Sequence, residues 1–249
     1  MNALAPAVGT SAASRPLGRE VVPIYVWDLV VRWTHWLIAL SIVVLAVTGF
    51  LIGHPLIVVT GRAGDHYLMA TVRAVHSFSA VVFTVAVLSR LWWMLVGPRV
   101  ARWHQFLPVP KQRRRGIWPT VKFYLFMRRQ PPPFVGHNPV AGATYTLVFG
   151  LYLVMILTGF AMYSGAAAWS SPMHWFGFLV PLVGGTAVAR WIHHVVMWLL
   201  LGFAVHHVYS GILVSIVERN GTMESIFSGW KWFRREEVAD ELAEEERHG

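Results

Sequence analysis

The sequence predicts an all-α integral membrane protein, built as a bundle of four transmembrane helices. Of its 249 residues, 55% are hydrophobic and only 13% are charged, whereas an average soluble domain is about 25% charged. The apolar residues also fall into four long blocks, and about 20 apolar residues are needed for a helix to cross a bilayer. The chain has no cysteine, which excludes disulfides, thiolate metal sites and cysteine-ligated iron–sulfur clusters.

The four blocks and their flanking segments define the domain organisation. Residues 1–22 are rich in Ala, Gly, Pro and Ser and lack the apolar core of a signal peptide, so we expect a flexible tail there. Residues 23–233 are expected to form one four-helix domain. Residues 234–249 contain seven of the twelve acidic residues and are expected to form a charged tail. The predicted spans are Trp33–Gly53, Val75–Val96, Ala141–Tyr163 and Trp191–Val217.

Lys and Arg are distributed very unevenly between the two sides of the predicted spans. The stretch 98–139 holds nine of them and no Asp or Glu, and the two terminal regions add eight, against three on the opposite side. Because short loops rich in Lys and Arg stay in the cytoplasm, both termini and this loop are predicted to be cytoplasmic, with the protein in the cell membrane. The net charge of +9 then reflects topology and contact with lipid headgroups, and nucleic-acid binding is not expected.

Six His residues lie inside the predicted spans, where an ionisable side chain marks a functional site by default. They are His35, His76, His193, His194, His206 and His207. The alternative is that these side chains make hydrogen bonds between helices. His193 and His207 are 14 residues apart, which places them about 40° apart around the helix axis and roughly 21 Å apart along it.

The direction of each span sorts the inward-facing His into two levels. His76 and His193 are predicted near the external side, and His35 and His207 near the cytoplasmic side. Two imidazoles that face each other across a bundle core form a bis-axial haem site. Two such levels predict two b haems and an electron path across the membrane.

Further residues are candidates for contact with a haem or a quinone. Gly49 and Gly159 stand in matching Thr-Gly-Phe triplets, where glycine would allow either a porphyrin or another helix to approach closely. Arg90 is a candidate partner of a haem propionate, or alternatively extends to the headgroups. Tyr145 and His137 are candidate quinone contacts near the cytoplasmic interface. The remaining His, and His137 as the alternative to a quinone contact, are predicted to be surface residues: His54, His66, His104, His137, His174 and His248.

Several motifs between about Pro23 and Phe233 carry a resemblance to a known family. They are Val31-Arg32-Trp33-Thr34-His35-Trp36, Leu45-Ala46-Val47-Thr48-Gly49-Phe50-Leu51-Ile52-Gly53, Arg73-Ala74-Val75-His76, Gly136-His137-Asn138-Pro139, Leu157-Thr158-Gly159-Phe160-Ala161-Met162-Tyr163, His193 with Met197-Trp198, and His207-Val208-Tyr209. In these motifs the chain resembles the b-type cytochrome subunit of membrane-bound uptake nickel–iron hydrogenases.

The resemblance implies a four-span protein that holds haem b between pairs of His. It also implies association with a small iron–sulfur subunit and a large nickel–iron subunit, and electron transfer to quinone. The positions that match the family's haem ligands are His35, His76, His193 and His207. His194 and His206, which stand beside matched residues, leave open a one-residue shift in the ligand assignment.

These observations lead to a functional hypothesis with named alternatives. Electrons would enter on the external side, cross from the His76/His193 level to the His35/His207 level, and reduce quinone on this chain near the cytoplasm. The segment Met173–Leu182 is interpreted either as a docking or interfacial helix or as ordinary loop packing. One alternative is a cytochrome subunit of another oxidoreductase, of the formate dehydrogenase or thiosulfate reductase type, or a stand-alone quinol-oxidising cytochrome. The other is a membrane protein without haem, in which the His residues are structural.

Overall fold

The computed structural model describes residues 21–54, 67–107, 111–132, 134–165, 167–236 and 238–239. Four of its helices are long and apolar enough to cross a membrane, which confirms the predicted fold class. They are α1 (Leu29–Gly53), α2 (Leu68–Val96), α4 (Pro139–Ser164) and α6 (Thr186–Glu218). Each begins before the predicted span, by two residues in α4 and by four to seven in the others. His66, His248 and most of the two predicted tails lie outside the described residues.

The four long helices pack as two pairs. α1 lies along α2, α4 lies along α6, and α2 also touches α4, whereas the α1 and α6 backbones barely approach each other. A central apolar cluster at mid-depth joins the pairs and includes Ile38, Phe83, Val87, Tyr152 and Val196. Large apolar side chains on the outer faces are exposed, as expected of a surface that faces lipid.

Polar side chains cap the N-terminal ends of α1 and α4, which lie at the same end of the bundle. Asp28 caps α1 by accepting a hydrogen bond from the Val31 amide, and Asn138 caps α4 by accepting one from the Ala141 amide. Both caps have a second partner. The indole Nε1 of Trp93, near the end of α2, donates to Asp28 at 2.7 Å. The amide of Asn138 donates to the Tyr124 hydroxyl at 3.1 Å.

The basic connection between α2 and α4 folds against that same end. It contains two short 3-10 helices, Arg99–Ala101 and Trp103–Gln105, followed by helix α3 (Lys111–Tyr124), which packs on α4. Arg113 ties these parts together, because its guanidinium donates to the side chain and carbonyl of Gln105 and to the carbonyl of His137.

One element was not predicted: a two-stranded antiparallel sheet that joins the two ends of the described chain. Strand β1 (Val21–Tyr25) pairs with β2 (Trp230–Arg234), with Val21 opposite Arg234 and Tyr25 opposite Trp230. The strands therefore extend across both predicted domain boundaries, 22/23 and 233/234. A short helix, α7 (Ser225–Ser228), precedes β2. We call β1, β2 and α7 the clasp, and the end of the bundle that carries them the clasp end.

Contacts between residues distant in sequence hold the clasp to the bundle. The indole Nε1 of Trp27 donates to the Ser225 hydroxyl at 3.0 Å, and the guanidinium of Arg32 donates to the Phe227 carbonyl. Gly229 turns between α7 and β2 at φ 91° and accepts hydrogen bonds from the Val26 and Trp27 amides. A side chain at Gly229 would collide with the Tyr25 ring and the Trp27 carbonyl, so this turn requires glycine.

The opposite end of the bundle, which we call the far end, carries the connection between α4 and α6. The predicted segment Met173–Leu182 forms a 3-10 helix (Pro172–Phe178) followed by α5 (Leu179–Leu182). Its apolar side chains pack near Ala161 and Ala189. Trp169 and Trp175 nearby remain 87% and 83% exposed.

Candidate functional site

The structure places two His at the far end, each held by a threonine from the neighbouring helix. The Nδ1 atom of His76, on α2, lies 2.8 Å from Oγ1 of Thr48 on α1. The Nδ1 atom of His193, on α6, lies 2.9 Å from Oγ1 of Thr158 on α4. The two imidazoles are close enough to interact electrostatically. We call these four residues the far-end layer.

Glycines flank both imidazoles of the far-end layer. A β-carbon at Gly49 would lie 3.5 Å from Cε1 of His76, and one at Gly159 would lie 3.5 Å from Cε1 of His193. A side chain at either glycine would therefore lie in direct contact with the edge of the imidazole ring, beside Cε1. The two Thr-Gly-Phe triplets thus form equivalent cradles on α1 and α4.

The other two His lie together at the clasp end. The ring centres of His35, on α1, and His207, on α6, are 6.2 Å apart, and the Nδ1 atom of His35 is buried without a hydrogen-bond partner among the described residues. Phe203 stacks on the His207 ring at 5.5 Å, and the Tyr145 hydroxyl lies 3.3 Å from Nδ1 of His207. We call His35 and His207 the clasp-end layer.

The geometry of the clasp-end layer fits a metal centre between the two rings. Metal–imidazole bonds are about 2 Å long, so two imidazoles on opposite sides of one metal ion have ring centres roughly 6 Å apart. No group of three or more His, Cys, Asp or Glu within the described ranges could hold a metal ion. Each layer offers two imidazole rings, and two imidazoles are a donor set that suits an iron whose other ligands come from a porphyrin.

The two neighbouring His of α6 face elsewhere. Nδ1 of His194 lies 2.7 Å from the Arg190 carbonyl of the preceding turn, and its Nε2 faces Gly53. His206 is exposed, with Nε2 3.2 Å from the Ser210 hydroxyl. Neither residue contacts a threonine as His193 does, nor lies in the pair formed by His35 and His207.

Arg90 is buried at the clasp end of α2. It is only 5% exposed, its Nη1 donates to the Ala101 carbonyl at 3.3 Å, and the guanidinium lies over the Phe106 ring. It therefore turns towards the connection between α2 and α4, and does not extend outward as the headgroup alternative expects.

His137 and Tyr145 lie side by side next to the clasp-end layer. Their ring centres are 4.8 Å apart, and the rings of Trp27 and Phe106 also pack on His137 at 4.7 and 5.1 Å. We call the surroundings of His137 the His137 pocket. Nδ1 of His137 is buried and has no hydrogen-bond partner among the described residues.

Burial and positive charge both keep the His137 ring neutral. Burial is the main cause that lowers its pKa well below 6.5, and the charges of Arg90, Lys231 and Arg113 and the ring of His207 act in the same direction. Lys231, on β2, is itself only 5% exposed, with its ammonium near the Trp27 ring. Burial also lowers the pKa of Lys231 from 10.5.

Sequence reasoning missed several of these residues. Thr48 and Thr158 stood in the matching triplets, so the repeated threonine was an available signal. Trp27 and Phe106 carried no signal, because they reach His137 only through the folding of the clasp and of the basic connection.

Comparison with known proteins identifies relatives along most of the chain. A family model described as prokaryotic cytochrome b561 matches residues 26–229. A protein of Cupriavidus necator named "Probable Ni/Fe-hydrogenase B-type cytochrome subunit" is 36% identical over 239 residues, covering 93% of this chain and 96% of that protein. A protein of the same name from Azotobacter vinelandii is 35% identical over 223 residues, covering 87% and 91%.

An Escherichia coli relative adds a third comparison. It is named "Probable Ni/Fe-hydrogenase 1 B-type cytochrome subunit" and is 34% identical over 217 residues, covering 85% of this chain and 92% of that protein. The likeness therefore spans the whole bundle and includes both layers.

Proposed function

Because this chain belongs to the prokaryotic cytochrome b561 family, we propose that it is the membrane-anchoring electron-transfer subunit of a nickel–iron hydrogenase. In this role it carries electrons from the hydrogenase's small iron–sulfur subunit to the quinone pool. The names of its relatives support the choice of partner. The observation that carries the proposal is the presence of two His layers at opposite depths of one membrane-spanning bundle.

The proposal assigns one haem b to each layer. His76 and His193 would hold one haem, and His35 and His207 the other. When bound, the haems supply one-electron transfer. Each layer would supply two imidazoles to its iron and leave no place for oxygen to bind, so these residues would favour electron transfer over oxygen binding. Gly49 and Gly159 leave room for close approach, and Arg90 supplies a buried cation for a propionate.

The spacing along the helices suits transfer between two depths. His35 and Gly49, which adjoins His76, are 14 residues apart on α1, as are His193 and His207 on α6. Each interval corresponds to roughly 21 Å along a helix. Two helices thus hold the layers at one common separation, which supports a fixed path between the sides of the membrane.

The proposal also includes an orientation. The clasp end carries the basic connection and both ends of the described chain, so the charge bias supports a cytoplasmic position for it. The far end would then face outward and meet the iron–sulfur subunit, with the large nickel–iron subunit beyond it. The exposed Trp169 and Trp175 lie at that end.

Quinone reduction is proposed at the clasp end, near Tyr145, His137 and Arg90. A quinone becomes a quinol by taking up two electrons and two protons, and here the electrons would arrive one at a time from the clasp-end layer. The phenol of Tyr145 and the neutral ring of His137 can donate hydrogen bonds to the quinone oxygens. The nearby clasp and basic connection lie at the surface from which water would supply the protons.

The experiment uses the complex in its native membranes. We expect a pyridine haemochrome spectrum with two haems b per chain, reduction of these haems by hydrogen, and reoxidation by added quinone. The matched control is the same membrane lacking the hydrogenase subunits, in which hydrogen should reduce neither haem. Absence of a b-type spectrum would end the haem assignment, and haems that hydrogen cannot reduce would exclude hydrogenase as the partner.

A further inference from the structure

We propose that Thr48 and Thr158 are positioning residues that fix the ring protons of His76 and His193. We also propose that they give the far-end layer a lower reduction potential than the clasp-end layer. The inference rests on the proposed haem ligation. It begins from the two threonine–histidine contacts, which have no equivalent at the clasp end.

The position of each threonine hydroxyl hydrogen follows from a second contact. Oγ1 of Thr48 lies 2.7 Å from the Val44 carbonyl oxygen, and Oγ1 of Thr158 lies 2.7 Å from the Val154 carbonyl oxygen. Two oxygens at this distance require a hydrogen between them, because otherwise their lone pairs repel. Each threonine therefore donates to the carbonyl one turn earlier in its own helix.

This arrangement determines the protonation of both imidazoles. A hydroxyl has a single hydrogen, so the threonine oxygen can only accept a hydrogen bond from the ring. The ring hydrogen is therefore on Nδ1, and the lone pair of the neutral imidazole is on Nε2, where it is available to iron.

The surroundings strengthen these hydrogen bonds. Thr48 and Thr158 are buried, and a hydrogen bond shielded from water is electrostatically stronger than one in water. Each threonine oxygen also accepts while its own hydrogen is donated, and such chains polarise one another. The ring protons are thus held within the protein itself, before any ligand binds.

The clasp-end layer lacks this support. Nδ1 of His35 has no partner among the described residues. Among the described residues, the partner of His207 Nδ1 is the Tyr145 hydroxyl, at 3.3 Å, which is longer than a good hydrogen bond. Each layer therefore has two imidazoles, and the hydrogen bonding of their Nδ1 atoms differs between the layers.

The difference has a predictable electronic effect. A hydrogen bond from Nδ1 makes an imidazole a stronger electron donor to its metal, and a stronger donor stabilises the ferric more than the ferrous state. The far-end layer should thus have the lower potential. Electrons would then move downhill from the far end to the clasp end, which is the direction of the proposed function.

The test compares matched variants of the whole complex by redox titration of its haems. Thr48→Val and Thr158→Val remove the hydroxyl and keep the shape, while Thr48→Ser and Thr158→Ser retain the hydroxyl. Thr84→Val is the control, because Thr84 donates to the Ala80 carbonyl at 2.7 Å and has no hydrogen bond to a His among the described residues. His35→Ala identifies the clasp-end haem. Electron paramagnetic resonance of the oxidised haems reports the ligand field independently of activity.

We expect each Val variant to raise the lower of the two potentials and change the resonance of that haem, with the double variant showing the larger shift. The Ser variants and Thr84→Val should resemble the unaltered protein. If a Val variant loses the far-end haem and the matching Ser variant retains it, the loss is again caused by removal of the hydroxyl.

The inference is wrong if the Val variants leave the potentials unchanged or shift the potential of the clasp-end haem. It is also wrong if a Val variant loses haem and the matching Ser variant loses it too. A far-end haem with the higher potential in the unaltered protein would refute the proposed order. Failure of the proposed function is distinguishable, since the unaltered protein would then contain no pair of b haems.

Discussion

The two ends of the bundle hold their His in different ways. At the far end, His76 and His193 each contact a threonine whose hydroxyl is bonded to its own helix. At the clasp end, His35 contacts the Trp36 ring, and His207 contacts the rings of Tyr145 and Phe203. The far-end layer is thus held by hydrogen bonds between neighbouring helices. The clasp-end layer is held by ring contacts and borders the His137 pocket, because the Tyr145 ring contacts both His207 and His137.

This comparison indicates a division of tasks. Local hydrogen bonds hold the rings of the far-end layer, where the proposed function requires only that electrons are received and passed on. The clasp end combines a His layer with the His137 pocket and buried cations, where the proposed function also requires a substrate and protons. Four predictions test the contrast, beginning with the largest expected effect.

The largest effect is the loss of a complete haem. His76→Ala and His193→Ala should lose one and the same haem, and His35→Ala and His207→Ala the other, because each iron needs both imidazoles of its layer. Haem content and redox titration of the purified complex measure this. His206→Ala, in which the altered residue is exposed beside His207, is the control and should retain both haems. Loss of the same haem in His193→Ala and His35→Ala would refute the pairing.

The next effect concerns the stability of the clasp end. Asp28→Ala should lower the free energy of unfolding by about 2–3 kcal/mol, because it removes an N-cap and leaves the Trp93 indole without its acceptor. Thermal unfolding in detergent measures the change. Asn138→Ala removes the equivalent cap of α4, whose second contact is longer at 3.1 Å, and should destabilise less. Equal destabilisation by the two substitutions would show that the bond from Trp93 to Asp28 adds no more than the bond from Asn138 to Tyr124.

A smaller effect is the pH dependence that His137 contributes. Its folded-state pKa is well below 6.5, mainly through burial, so as the pH falls below about 6.5 the unfolded chain takes up the proton first and stability falls. The charged and titratable groups around it are Arg90 on α2, Arg113 on α3, Lys231 on β2 and His207 on α6.

The comparison with His137→Phe isolates this contribution, because Phe keeps an aromatic ring in the pocket and cannot titrate. Between about pH 7.5 and about pH 5.5 the unaltered protein should lose about 1.4 kcal/mol more than the variant. Unfolding measured at both pH values tests the prediction. An equal loss of stability in the two proteins would mean that His137 takes up a proton in the folded state as readily as in the unfolded chain.

The smallest effect distinguishes a haem cradle from helix packing at the far end. Gly159→Ala should weaken haem retention in the far-end layer a few-fold, or about 1 kcal/mol, by filling space beside His193. Gly150→Ala, on the same helix with nothing within 4 Å of its added carbon, should keep both haems. Alanine favours a helix over glycine by about 1 kcal/mol. Undiminished haem in Gly159→Ala would favour simple packing as the role of this glycine.

Much of the architecture could be predicted because it depends on local properties of the chain. Four apolar blocks predicted α1, α2, α4 and α6, and α4 begins at Asn138 and Pro139, residues that are typical of a helix start. The 14-residue interval between His193 and His207 selected one helix face, since the phase of a helix is regular. The neighbouring His194 and His206 could not be separated with the same certainty by spacing alone.

The sequence by itself determined the number of spans, the uneven charge and the candidate His, because hydropathy and helical phase act over a few turns. Only the tertiary structure decided that β1 pairs with β2, that Trp27 reaches Ser225 at 198 residues' separation, and that threonines contact His76 and His193. These contacts join side chains that are far apart in the chain. Their formation depends on how whole helices pack against one another, and no local sequence pattern specifies that packing.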